Sequence, residues 1–211
     1  MSRFFRFLAH FASWLLHPLL MPVIGFLFFF QFPTYLQLIY SQQERFSLLI
    51  LLATTTFLVP SLTALLFVII FRINDLQLPD AKTRNLPLLA TAIYYSVGYY
   101  LIKVKIPLPM PLQLYFLGAL LAVVLNMFIN RYYKISSHAI GVGGLFGGVL
   151  SFMYLFHIGQ VAPLVLCAFL MGIVATSRLY LQAHTPSQVY FGLLLGFLCE
   201  FWLIHLVPNF G

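Results

Sequence analysis

The sequence predicts an all-α protein: a polytopic membrane helix bundle in a single domain, residues 1–211. Two observations carry this. Of the 211 residues, 62% are hydrophobic and 7% charged, with a mean hydropathy of +0.99. A water-soluble chain of this length has no interior large enough to hide that much apolar surface, so its solvent is lipid. The apolar residues also fall into windows of roughly 17–25, the length that crosses the hydrocarbon of a bilayer, with short polar stretches between them.

Residues 1–13 are expected to form an interfacial amphipathic helix. Arg3, Arg6, His10, Ser13 and His17 recur at three- and four-residue steps and so share one helical face, while Phe4, Phe5, Phe7, Leu8 and Phe11 fill the rest. Arg3 and Arg6 ahead of an apolar stretch resemble a signal peptide. Pro18 and Pro22 interrupt that stretch and no small-residue cleavage site follows, so the helix is expected to be retained. The transmembrane bundle, 14–207, is read as about seven spans: 14–32, 46–71, 86–102, 111–130, 139–157, 161–176 and 189–207. Connections are short and no internal repeat is evident, which disfavours a transporter built from duplicated halves.

The polar segments 72–85, 131–138 and 177–188 are separated by two spans each. An even number of crossings returns the chain to the same face, so all three are expected to meet there. The formal net charge of +7, from eleven Lys/Arg against four Asp/Glu, suits anionic headgroups or a phosphorylated ligand. Nucleic acid is not an expected partner, because the basic residues are scattered and form no run. Cys167 and Cys199 both fall inside apolar spans, so no disulfide framework is indicated. The chain is an integral membrane protein by this reading, and in a bacterium the membrane would be the cytoplasmic one. The positive-inside rule leaves the site's face open. Once phosphate-binding cations are discounted, Arg3, Arg6, Arg72 and Arg131 stand against Arg45, Lys103 and Lys105.

Two histidines carry the chemistry. His138 follows Ile135-Ser136-Ser137, and His184 follows Ser177-Arg178 after five residues and precedes Thr185-Pro186-Ser187-Gln188. Histidine is the side chain best suited to proton transfer or nucleophilic attack near neutral pH. Helix N-termini attract anions through free N–H groups and the macrodipole. Two such helix starts, with Lys134 beside one and Arg178 beside the other, read as a phosphate-handling centre.

The spacing Ser177-Arg178-x5-His184-x3 resembles the last motif of the type 2 phosphatidic acid phosphatase superfamily: Ser-Arg, five residues, His, three residues, Asp. Ile135-Ser136-Ser137-His138 keeps the Ser and the His of that family's Pro-Ser-Gly-His. By this resemblance His184 would be the nucleophile that takes the phosphoryl group and His138 the acid protonating the leaving alcohol. Arg178, with Ser177, Ser136, Ser137 and Lys134, would bind the substrate phosphate. Phosphoryl transfer needs such an in-line nucleophile, a leaving-group acid and positive charge around the equatorial oxygens. It needs no metal or other cofactor, and no HExxH or carboxylate cluster suggests one.

Two departures stand out. The family's Asp is Gln188 here, whose oxygen can hold the imidazole N–H of His184 but cannot stabilise an imidazolium by charge. The family's first motif, Lys, six residues, Arg-Pro, is matched only by Lys82-Thr83-Arg84 within 79–87. Lys82 and Arg84 can share a side as phosphate ligands if that proline-bounded stretch is extended.

Plainer readings stand beside these. Thr185-Pro186-Ser187-Gln188 is a capping box, with Thr at N-cap, Pro at N1 and Gln at N3, so Gln188 reads equally as a cap. Ser136 or Ser137 would cap the fifth span, the better account of Ser137. His138 and His184 could be ordinary interfacial histidines, and Arg178 alone would snorkel, but their pairing and spacing weigh against this. His10, His17, His157 and His205 have no such context. Gly143-x3-Gly147 and Gly144-x3-Gly148 mark a close helix-packing face. Asn126 and Asn130 share a face suited to interhelical hydrogen bonds. Glu200, a carboxylate deep in a span, is a functional candidate or a pairing partner near the opposite interface. The expected function is hydrolysis of a lipid phosphomonoester or diphosphate through a phosphohistidine. The alternatives are a lipid-linked phosphotransferase, or a catalytically inactive lipid-phosphate binder or transporter.

Overall fold

The computed structural model describes residues 3–70 and 81–205, and of residues 81–84 the backbone alone. No strand occurs among the described residues. The helices are α1 (Arg3–Leu15), α2 (Met21–Gln31), α3 (Leu36–Ile39), α4 (Gln42–Ala53), α5 (Val59–Ile70), α6 (Ala81–Lys105), α7 (Met110–Ile129), α8 (Ser137–Leu155), α9 (Ala162–Tyr180) and α10 (Pro186–His205). A 3₁₀ turn, Pro18–Leu20, joins α1 to α2, and a π turn, Thr54–Leu58, joins α4 to α5.

Six helical stretches among the described residues are long and apolar enough to cross a membrane: Arg3–Gln31, Gln42–Ile70, α7, α8, α9 and α10. The stretch expected to span at 86–102 is the helix α6, which at 25 residues reaches roughly 37 Å but is more polar than the other six. Outward-facing side chains such as Ile69, Phe169, Leu194 and Trp202 are apolar and exposed, as lipid around the bundle requires.

The helices that position the site are α8 and α10, which run parallel with their backbones in contact. A Cβ on Gly143 would meet the backbone of Leu193, and one on Gly147 that of Phe197. From the other side, a Cβ on Gly192 would meet Ser136 and Ala139, and one on Gly196 the carbonyl of Ile140. Both ladders step by four residues, so each side chain larger than hydrogen would force the pair apart. The small-residue stripe read from the sequence is therefore a helix interface. Gly148 meets a different neighbour, the ring of Tyr115.

α2 lies along α8 in the same direction. Pro18 and Met21 lie against Gly141, and Phe29 stacks on Phe152 with ring centroids 4.3 Å apart. Phe26, Phe29, Tyr115, Phe116 and Phe152 form the centre of the core. α9 returns the chain between α8 and α10, so both start on one face of the bundle. The end of the first polar segment is there too: Asn130 Nδ2 donates to Asn85 Oδ1 at 2.7 Å.

Candidate functional site

Three helix ends build the site. At the first, Ser136 is the N-cap of α8, its Oγ accepting from Ala139 N at 3.4 Å. Ser137 is not the cap expected of it. It sits in the first turn, where its Oγ accepts from Asn126 Nδ2 at 3.0 Å. Ser136 has an extended backbone and Ser137 a helical one, and a capping side chain needs the former.

At the second, α9 continues to Tyr180, so Ser177 and Arg178 lie in its last turn and not in a loop. The helix closes with a Schellman motif: Ala183 N donates to Arg178 O and Gln182 N to Leu179 O, with Gln182 at φ 53°. That reversal sends the chain directly into His184. Ser177 is buried and Arg178 half-buried.

At the third, Thr185 caps α10 with Pro186 at N1. Gln188 N donates to Thr185 Oγ1 at 3.4 Å, and Thr185 N donates to Gln188 Oε1 at 3.2 Å. The same Oε1 lies 3.1 Å from His184 Nδ1. Capping the helix and holding the imidazole are therefore done by one atom. An amide oxygen only accepts, so Nδ1 carries the proton and Nε2 keeps the lone pair of the neutral ring.

The first and third ends are tied together. Ser136 N donates to Gln188 O at 3.2 Å, and Tyr133 Oη donates to Ser187 Oγ at 2.8 Å. His138, half-buried, donates from Nε2 to the carbonyl of Ser13 at 3.0 Å. Arg178 Nη1 donates to Ser13 Oγ at 3.3 Å, while its buried Nε has no partner among the described residues. The charges and dipoles that act on His138 come from Arg178, His17, Ser13 and His184. Lys134 is half-buried in the connection before α8.

Two residues enter from a segment the sequence reading kept out of the site. Ser13, 7% exposed, bridges His138 and Arg178. The ring of His17 meets that of His138 edge to face, centroids 5.4 Å apart. His17 Nδ1 accepts from Leu19 N at 3.3 Å, so its proton is on Nε2. The available signal was the three- and four-residue recurrence that ends on Ser13 and His17.

Residues 81–87 are not extended, since α6 begins at Ala81 and runs through Pro87, and residues 79 and 80 lie outside the described residues. The proposed Lys82 and Arg84 pair loses the geometry assumed for it, and their side chains lie outside the described residues. No group of three or more His, Cys, Asp or Glu residues among the described residues could hold a metal ion.

A family model, the PAP2 superfamily, matches residues 61–211. The chain belongs to the PAP2 superfamily. No curated protein and no solved structure matches it. PAP2 proteins generally hydrolyse phosphate esters, so phosphatase-type chemistry in a membrane protein is the coarse expectation the family sets. The PAP2 match takes in His138, Arg178, His184 and Gln188. Ser13 and His17 precede it, so this PAP2 chain closes its helix-end cluster with residues from outside the matched region.

Proposed function

We propose that the protein hydrolyses a lipid phosphate ester, a monoester or a diphosphate, through a phosphohistidine on His184. The observation that carries this is the convergence on Ser13. His138 Nε2 and Arg178 Nη1, from different helices, both donate to oxygens of that one residue. Two donors that share a pair of oxygens so close together can share two oxygens of one phosphate group. Ser13 occupies them at rest, and the substrate's phosphate takes its place.

In this reading His184 attacks phosphorus through Nε2 while Gln188 Oε1 keeps the proton on Nδ1. The P–N bond forms as the P–O bond to the lipid alcohol breaks, and His138, an imidazolium while the negatively charged phosphate lies beside it, gives the leaving oxygen a proton and becomes neutral. Arg178 offsets charge on the equatorial oxygens, its Nε–H, without a partner among the described residues, adding a second donor. Water then attacks the phosphohistidine and frees inorganic phosphate. The lipid tail remains in the bilayer, which is why the reacting groups sit at membrane helix ends. A second reading follows from Gln188: without a carboxylate at that position, the site binds lipid phosphate and does not turn it over.

The test is phosphate release by the purified protein from phosphatidate, phosphatidylglycerol phosphate, a polyprenyl diphosphate and phosphorylated lipid A, beside His184→Ala. Turnover lost in the variant supports the mechanism. Equal turnover in both removes His184 from it, and binding with no release in either establishes the binder. A phosphorylated product made from an added alcohol would reveal a phosphotransferase.

A further inference from the structure

One residue at the site has no task in the chemistry above. His17, half-buried, holds the turn that joins α1 to α2, its Nδ1 accepting from Leu19 N at 3.3 Å. The other ring nitrogen carries the proton, and this Nε2–H meets no acceptor among the described residues. The ring stands edge to face with Phe57, centroids 6.2 Å apart, and with His138, 5.4 Å apart. Arg178 is near enough for its charge to act on His17.

Two plainer roles do not account for a histidine here. Capping is served best by Ser, Thr, Asp or Asn, each with one short acceptor. For packing, phenylalanine would make the same ring contacts and bring no polar atom to satisfy. Histidine alone does both things at once. One nitrogen anchors the turn, and the other presents an N–H beside the imidazole and the guanidinium that converge on Ser13.

His17 also belongs to the fixed side of the site. Pro18 follows it directly and lies on α8, where a Cβ on Gly141 would meet Pro18 Cα at 3.0 Å. Ser13 is on α1, which borders an apolar groove beside α9. When Ser13 leaves His138 and Arg178, the Pro18–Leu20 turn keeps His17 next to them.

We propose that His17 is a ligand of the substrate phosphate, its Nε2–H donating to a non-bridging oxygen once Ser13 has withdrawn. No bond forms or breaks at His17, and it donates as a neutral ring. Donors from the α1–α2 turn, α8 and α9 then hold one phosphate group from different sides. His17 precedes the region that matches the PAP2 superfamily, so this contact comes from the chain's own N-terminal segment. His17 as a ligand rests on the lipid-phosphate reading of the site but not on turnover, since a binder would use it in the same way.

Asparagine and glutamine separate the two nitrogens. Asparagine can accept from Leu19 N but places nothing where Nε2–H stood; glutamine places an N–H there and leaves the turn uncapped. Orthovanadate is the probe, its binding to the purified full-length chain followed by titration calorimetry. His17→Asn should keep the melting temperature and weaken vanadate about tenfold, the value of a hydrogen bond to a charged group. His17→Gln should recover most of that affinity despite a lower melting temperature. His17→Ser, a cap of the preferred type, takes the place of His17→Asn if that variant does not fold. Parent affinity in the capped variant, or a folded His17→Gln as weak as His17→Asn, would overturn the proposal. Phosphate release by the same preparations separates the two ideas. Turnover in the parent with vanadate affinity unchanged in His17→Asn sinks the ligand and spares the phosphatase. The tenfold loss in a parent without turnover sinks the phosphatase and spares the ligand, and a parent that binds no vanadate overturns both.

Discussion

α8 and α10 touch backbone to backbone along two four-residue glycine ladders, whereas α1 reaches the same site through Ser13 and packs across α9 with large side chains. The first arrangement has no slack. With Gly143, Gly147, Gly192 and Gly196 in contact with opposing main chain, the helices cannot slide without a clash, so the starts of α8 and α10 hold His138 and His184 in a fixed relation. The second is loose. Between α1 and α9 runs an apolar groove lined by residues such as Leu8, Ala12, Gly172 and Ile173, and a Cβ on Gly172 would meet nothing within 4 Å. The reactive pair sits on rigid elements, while the element that covers it is free to give way. The proposed displacement of Ser13 by a substrate phosphate would need that division.

The largest effect expected is from filling the tight interface. Gly196→Leu would drive a side chain into the carbonyl of Ile140 and cost about 3 kcal/mol or more. Little folded protein should survive gel filtration in detergent. A folded Gly196→Leu with unchanged melting temperature would break the idea that these helices are locked. Next is the residue that caps α10 and holds His184. Gln188→Leu removes the acceptor for Nδ1–H, and turnover should fall by up to about 10⁴, the scale seen when a catalytic histidine loses its tautomer. Gln188→Asp adds charge to that hydrogen bond and should raise kcat on the order of tenfold. If both variants turn over at the parent rate, Gln188 serves the helix alone.

The tight half was legible in the sequence because its determinants are local. Glycines four apart, a Thr-Pro-Ser-Gln cap and the Ser-Arg-x5-His spacing all act within a few turns of helix. Where local rules erred, the margins were small: one residue between Ser136 and Ser137 as cap, and one helical turn for Arg178. The extended reading of 79–87 failed for a different reason, since Pro87 sits inside α6 instead of limiting it. Ser13 and His17 were on the right face of a recognised helix, but the sequence cannot say across which neighbour that helix lies. Their contacts with His138 and Arg178 span more than a hundred residues, and the angle of α1 over α9 creates them. The placement of the Glu200 carboxyl against Gly118 is equally a property of the assembled bundle.

The loose half gives smaller effects. Ser13→Ala keeps the carbonyl that holds His138 but removes the hydroxyl that holds Arg178. If that hydroxyl is a resting partner displaced by phosphate, the variant should show KM lowered about threefold and kcat little changed, the value of one modest hydrogen bond. A raised KM would mean that Ser13 binds the substrate and does not make way for it. Vanadate, which mimics five-coordinate phosphorus, should inhibit competitively and follow the same shift.

Gly172→Ala should have the smallest effect, and its sign is opposite to that at Gly196. Gly172 lies within α9 facing the groove toward α1, with open space where its Cβ would be. Alanine there meets no neighbour and gains helix propensity, worth about 1 kcal/mol, so the melting temperature should rise by a few degrees with turnover unchanged. A fall instead would mean that α1 closes on α9 more tightly than the groove implies. The contrast between a locked catalytic pair and a yielding cover would then have to be redrawn, because a methyl group that α1 cannot accommodate leaves no room for Ser13 to withdraw from Arg178 and His138.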